Sequence, residues 1–210
     1  MAKIFLGGGG STEQSKRLDS IFVKQVGRKP ILYIPVAMET SDFQPCWDWF
    51  IETFSALGIR KERIVMWTNL EGKTVKDLMQ FSAVYIGGGN TFKLLKLMRK
   101  SGFDKALKQY AKKGIIYGGS AGAIILGKSI KTAIVLDENN EKLEDLNGLC
   151  LVNYSIFCHY KPELNNRIMD LAKQLDIIAI TEESGLIVSE KIQVVGKAFL
   201  FTKKCKQPFI

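Results

Sequence analysis

Short apolar runs, each closed by a glycine-containing or polar turn and followed by a stretch with helical spacing, most narrowly limit the fold of this chain. Residues 3–6, 31–34, 83–86 and 114–117 are such runs, and residues 63–67 are a further strand candidate. Apart from Lys3 and Arg63 at the starts of their runs, they are apolar rather than alternating, the pattern of strands covered on both faces. Helical spacing follows over residues 12–25, with Ser11 or Thr12 as N-cap, and over 42–57, where Trp47, Phe50, Ile51 and Phe54 recur at intervals that line one face. Residues 91–99 and 103–112 read the same way. This alternation predicts an α/β fold with three layers, a mostly parallel sheet carrying helices on both faces. Beyond the fifth run the pattern changes. Residues 130–136 and 149–157 read as β, 163–175 as a helix, and 177–180, 185–189, 192–195 and 198–202 as short C-terminal strands. No composition shift or repeat interrupts residues 1–210, which are read as one domain.

The run at 114–117 leads into Gly118-Gly119-Ser120-Ala121-Gly122, a G-x-S-x-G pattern between a strand and a helix. This is the signature of a nucleophile elbow, a tight turn that lifts a serine hydroxyl off the end of a sheet strand. Gly118 and Gly122 leave room for the turn, and the Ala121 N–H is available to a developing oxyanion. A serine needs a base. The chain has one histidine, His159, at an expected strand exit, so the expected pair is Ser120 and His159.

Composition excludes several other functions. With 46% apolar and 24% charged residues the chain is ordinary for a globular protein, and no apolar run is long enough to cross a bilayer. The N-terminal run is too short for a secretory signal, and the expected location is the cytoplasm. Four scattered cysteines, Cys46, Cys150, Cys158 and Cys205, form no C-x-x-C pair, so reduced and mostly buried thiols are expected, without a disulfide framework or a metal site. Cys158 adjoins His159, but adjacent strand residues face opposite sides, which makes it a poor nucleophile for that base. Thirty Lys and Arg against twenty-one Asp and Glu give a charge of +9. The cations are spread over helix faces rather than gathered in a stripe, so nucleic acid is not the expected partner.

Gly7-Gly8-Gly9-Gly10 follows the first strand but lacks the third small position and the acidic residue of a dinucleotide site, and no P-loop Gly-Lys-Ser/Thr is present. No cofactor is expected. Gly87-Gly88-Gly89-Asn90 ends the strand expected beside the elbow strand. Its Gly88 or Gly89 N–H is a second candidate oxyanion donor, and Asn90 suits a helix N-cap. For the acid that orients the imidazole, the stretch 137–145 offers Asp137, Glu138, Glu141, Glu144 and Asp145. Asp137 is preferred because it ends an apolar run and would be held by a strand; Glu138 is next.

These motifs together, the strand into Gly87-Gly88-Gly89-Asn90-Thr91-Phe92, Gly119-Ser120-Ala121-Gly122-Ala123, and His159-Tyr160, resemble the peptidase E family of serine exopeptidases, with cyanophycinase a more distant relative. The resemblance covers nearly the whole chain. It implies a class I glutamine-amidotransferase-like fold, Ser120 as nucleophile and His159 as base, and it also points to Asp137 as the acid. It implies hydrolysis of short peptides, or of isopeptides as in cyanophycinase; the alternative is a non-catalytic ligand-binding protein on the same fold. An aspartyl specificity in the family rests on an arginine after the histidine, and here Arg167 is expected on a helix instead. Glu182, in a turn similar to the family's acidic turn, is a candidate to bind a substrate amine.

Overall fold

The computed structural model describes residues 3–210; Met1 and Ala2, at the start of the N-terminal run, lie outside them. The first half of the chain alternates as the sequence predicts. Strand β1 (Lys3–Gly7) leads to helix α1 (Thr12–Val23), β2 (Ile31–Ile34) to α2 (Gln44–Ser55), and β3 (Ile64–Met66) to the short α3 (Val75–Leu78). Strand β4 (Ala83–Ile86) is followed by α4 (Thr91–Lys100) and α5 (Phe103–Tyr110), and β5 (Ile115–Gly119) by α6 (Ala121–Leu126). The second half contains β6 (Ser155–Phe157), α7 (Asn165–Ala172), β7 (Ile177–Ile180), β8 (Gly185–Val188), β9 (Ile192–Val195), β10 (Ala198–Phe201) and β11 (Lys206–Pro208).

A seven-stranded sheet runs in the order β3-β2-β4-β5-β1-β8-β9, its first five strands parallel and the last two antiparallel. Side chains alternate across it, and the two faces differ in kind. Phe5, Tyr33, Tyr85 and Tyr117 point to one face, where Phe22 of α1 and Phe50 and Phe54 of α2 pack on them. Leu6, Ile34, Ile86 and Ile116 point to the other, under Phe92, Leu95 and Ile125 of α4 and α6. Tyr85 stacks on Tyr117 at 4.4 Å between ring centroids, and each such pair adds about 0.5–1.5 kcal/mol beyond area burial. A second sheet, β11-β10-β7-β6, closes against the aliphatic layer through Ile156, Ile178 and Ile180, with α7 on its outer side.

Two β expectations fail for an identifiable reason. Residues Lys131–Val135 form a 3-10 turn, tied to the second sheet where the Thr132 hydroxyl donates to the Ile156 carbonyl at 2.6 Å. In 149–157 only the last three residues are strand. The N–H groups of Leu149, Leu151 and Val152 donate instead to carbonyls of Ile125 and Leu126, satisfying the end of α6. Helices are shorter than expected at 44–55 and 165–172, and the thiols are less buried: Cys158 alone is buried, Cys46 is half-buried, and Cys150 and Cys205 are exposed.

Candidate active site

In-register pairing of Gly7 with Gly119 and of Ile86 with Gly118 brings the glycine turns after β1, β4 and β5 to one edge of the sheet. Open α/β sheets bind ligands at this carboxyl edge. Ser120 stands there with φ 50° and ψ −112°, a conformation that side chains rarely adopt and that costs about 1–3 kcal/mol. Its N–H donates to the Gly7 carbonyl at 3.1 Å. The strain persists because the neighbours admit only glycine: a Cβ on Gly118 would lie 2.5 Å from the Gly122 backbone, and one on Gly122 would lie 2.3 Å from the Ile86 carbonyl oxygen.

His159 follows β6 and also has a positive φ, 54°. Its N–H donates to the Gly8 carbonyl at 2.9 Å, and the next N–H, of Tyr160, donates to Ile180 at the end of β7. So held, Nε2 of His159 lies 2.8 Å from Oγ of Ser120. The glycine loop passes directly over this contact. A Cβ on Gly9, itself at φ +94°, would lie 2.4 Å from His159 Nε2 and 2.9 Å from Ser120 Cβ.

On its other side the imidazole meets Glu182. Nδ1 of His159 is 3.0 Å from Glu182 Oε1. The same carboxylate accepts from Nε2 of Gln14 at Oε2, 3.2 Å away, while Oε1 of Gln14 accepts the Ser11 N–H in the capping box of α1. The hydrogen bond from His159, seconded by that from Gln14, holds the Glu182 carboxyl below the usual carboxylate range. An ionised carboxylate only accepts, so Nδ1 carries the proton and Nε2 is free to accept from the serine hydroxyl.

The expected place of Asp137 is therefore corrected. Its Oδ2 accepts the Thr91 N–H at 2.9 Å, capping the start of α4 beside the N-cap Asn90, whose Oδ1 accepts from Lys93. The reason is local: residues 131–135 turn in a 3-10 helix rather than extending as a strand, and Asp137 is delivered to a helix end. Glu138 is exposed, and its carbonyl accepts from Asn90 Nδ2. Glu182, expected at a substrate amine, bonds His159 instead. Gln14 was not singled out from sequence, although Ser11-Thr12-Glu13-Gln14 carries the S-x-x-Q capping pattern.

Gly88, Gly89 and Ala121 gather at the serine. A Cβ on Gly88 would lie 3.2 Å from Ser120 Cβ, and Gly89, at φ +125°, abuts the Ala37 carbonyl. Ala121 opens α6, so its N–H has no partner within the helix.

The family model of peptidase family S51 matches residues 4–195 of the chain. The chain belongs to peptidase family S51. It is similar to an uncharacterized peptidase of Listeria monocytogenes, 26% identical over 184 residues that cover 84% of this chain and 89% of the relative. Against the peptidase E of Salmonella arizonae it is 28% identical over 186 residues, 81% of this chain and 77% of that protein. The fold is shared with a solved peptidase from an acI-B1 actinobacterium, TM-score 0.70 at 19% identity over 100% of this chain and 94% of the other. A Listeria monocytogenes structure superposes with TM-score 0.75 at 22% identity, over 93% and 98% of the two chains. S51 membership supports a peptidase.

In this S51 chain Ser120 and His159 stand where two clefts meet. One, of about 730 Å³, has a mixed lining in which Glu39, Asn90, Asp137 and Glu138 stand beside Ile124, Leu136 and Phe157; the other, of about 410 Å³, is mainly apolar. Cys158 is no rival to the serine: burial pushes its thiol far up, and its Sγ faces the carbonyls of Gly7 and Ser120. Among the described residues no three His, Cys, Asp or Glu side chains group as metal ligands, and no helix is long and apolar enough to cross a membrane. Arg167 is exposed on α7 and lines neither cleft.

Proposed function

We propose that the chain is a serine peptidase that cleaves short peptides, of exopeptidase or dipeptidase type, through an acyl-enzyme on Ser120. The observation that carries this reading is the hydrogen-bonded series Ser120 Oγ, His159 Nε2, His159 Nδ1, Glu182 Oε1, at 2.8 and 3.0 Å, hung on a strained elbow. Ser120 attacks the substrate carbonyl as Nε2 takes its proton. Glu182 holds the tautomer and stabilises the imidazolium. The Ala121 N–H, with that of Gly88 or Gly89, receives the oxyanion, a kind of contact that contributes on the order of a hundredfold or more in rate. His159 then protonates the leaving amine and activates the water that releases the acyl group.

The exopeptidase reading draws on relatives that bear the name peptidase E; the two clefts that meet at the serine offer room for a short peptide. A non-catalytic protein on this fold would have no need of a strained serine in contact with an imidazole. Fluorophosphonate labelling and peptide hydrolysis by the full chain are the test. Both are expected to vanish in Ser120→Ala, and labelling that persists in that variant overturns the proposal.

A further inference from the structure

We propose that the 410 Å³ cleft walled by Tyr33, Met38, Pro45 and Trp49 is the subsite for a side chain adjoining the scissile bond, and that it selects an apolar or aromatic residue over a carboxylate. The inference rests on the serine peptidase reading above and names its substrate class. The cleft opens directly onto Ser120 and His159, so whatever fills it lies beside the reacting carbonyl. Its size falls within the range of about 300–1,000 Å³ usual for ligand sites.

Two of the walls are held by contacts behind them. Nε1 of Trp49 donates to the Thr12 hydroxyl at 3.0 Å, which in turn bonds Thr53 at 3.0 Å and ties α2 to α1. With its one donor engaged, Trp49 offers the cleft apolar ring surface. Tyr33 is fixed from behind by Phe50, stacked at 4.2 Å. Pro45, in the first turn of α2, has no N–H to offer.

Charge points the same way. Neither cleft has a Lys or Arg among its described lining residues, in a chain of net charge +9. The larger cleft instead carries Glu39, Asp137 and Glu138. Lys93 lines neither; its ammonium donates to the Met38 carbonyl at 2.6 Å. An aspartyl or glutamyl side chain would therefore lose water without gaining a cation, whereas a phenylalanyl or leucyl side chain loses nothing by desolvation.

The test is hydrolysis of dipeptides in which Phe, Leu, Ala, Asp or Lys is varied at each position in turn, run with fluorophosphonate labelling of Ser120. Peptides bearing Phe or Leu at one of the two positions should exceed their Asp counterparts at least about tenfold in kcat/KM, since even one methylene in an apolar pocket is worth roughly 10–200-fold. Trp49→Ala should lower that ratio about tenfold. Met38→Arg, at an exposed position that borders both clefts, should raise hydrolysis of the Asp peptides and keeps the test intact if Trp49→Ala fails to fold. Preference for Asp in the wild type, or a ratio unmoved in the folded variants, overturns the cleft assignment alone. Labelling of Ser120 without hydrolysis of any dipeptide overturns the assignment and the dipeptidase part of the reading, leaving the reactive serine. Absence of both labelling and hydrolysis overturns the serine peptidase reading and the assignment with it.

Discussion

Nδ1 of His159 lies 3.0 Å from Oε1 of Glu182, and the two residues leave neighbouring parallel strands at the same end. Phe157 of β6 is in register with Ala179 of β7, so the chain beyond each strand emerges beside the other. The turn from Thr181 to Ser184, closed by its own backbone hydrogen bond of 3.0 Å, then presents Glu182 to the imidazole.

Glu182→Gln removes the charge that fixes the tautomer and should lower kcat by on the order of 10³–10⁴-fold, as loss of a triad acid does. Asp137→Asn weakens a cap on α4 and should cost about 1 kcal/mol of stability with a much smaller effect on kcat. Steady-state kinetics and urea unfolding of both variants compare the two acids. A larger kcat loss in the Asp137 variant would reverse their roles.

Gly9→Ala sets a methyl group on the Ser120–His159 contact at a position whose φ of +94° disfavours any side chain. Strain of about 1–3 kcal/mol should appear in the melting temperature, and hydrolysis should fall at least a hundredfold. Gly27→Ala, whose added Cβ meets nothing nearer than 3.7 Å, is the control and should keep full activity.

Gln14→Glu keeps an acceptor for the Ser11 N–H but withdraws the donor from Glu182 and sets a like charge beside it. The Glu182 carboxyl should then titrate at higher pH, so the acid limb of the kcat/KM profile moves upward. Gln14→Ala should shift the limb less and cost about 1 kcal/mol in the cap. A profile unchanged in Gln14→Glu would show that the contact has no influence on the acid.

Asp19, buried beneath the aromatic face, carries a carboxyl raised above its ordinary value of 3.8 by burial, opposed by hydrogen bonds from Ser15 and Tyr117. Among the described residues its Oδ1 has no hydrogen-bond partner. The folded state thus holds this proton more tightly than the unfolded chain. Its contribution is fully present below pH 3.8 and is lost as pH rises through the folded value. Stability from urea unfolding should decline as pH rises from 3.8 to the raised folded value in the wild type relative to Asp19→Asn. A constant difference between the two would remove the effect.

The acid differs from the serine and the histidine in how it can be recognised. Gly118, Ser120 and Gly122 must be contiguous because the elbow is one turn of backbone, and its steric needs are written in adjacent residues. His159 could be singled out because it is the only imidazole in the chain. The acid has no such local requirement. Asp137 ends an apolar run and precedes the histidine, yet that run coils into a 3-10 turn once Thr132 bonds Ile156, and its carboxylate goes to a helix start.

Local sequence alone determined the five parallel strands, the glycine turns at their ends and the strained serine, since apolar runs buried on both faces and positions that exclude a Cβ leave few alternatives. The partner of the imidazole was decided by tertiary structure. It depends on β6 and β7 pairing in parallel, on β8 returning against β1, and on Gln14 of α1 reaching the same carboxylate. Each of these contacts joins residues far apart in the chain, where short-range pattern carries no information about which groups will meet.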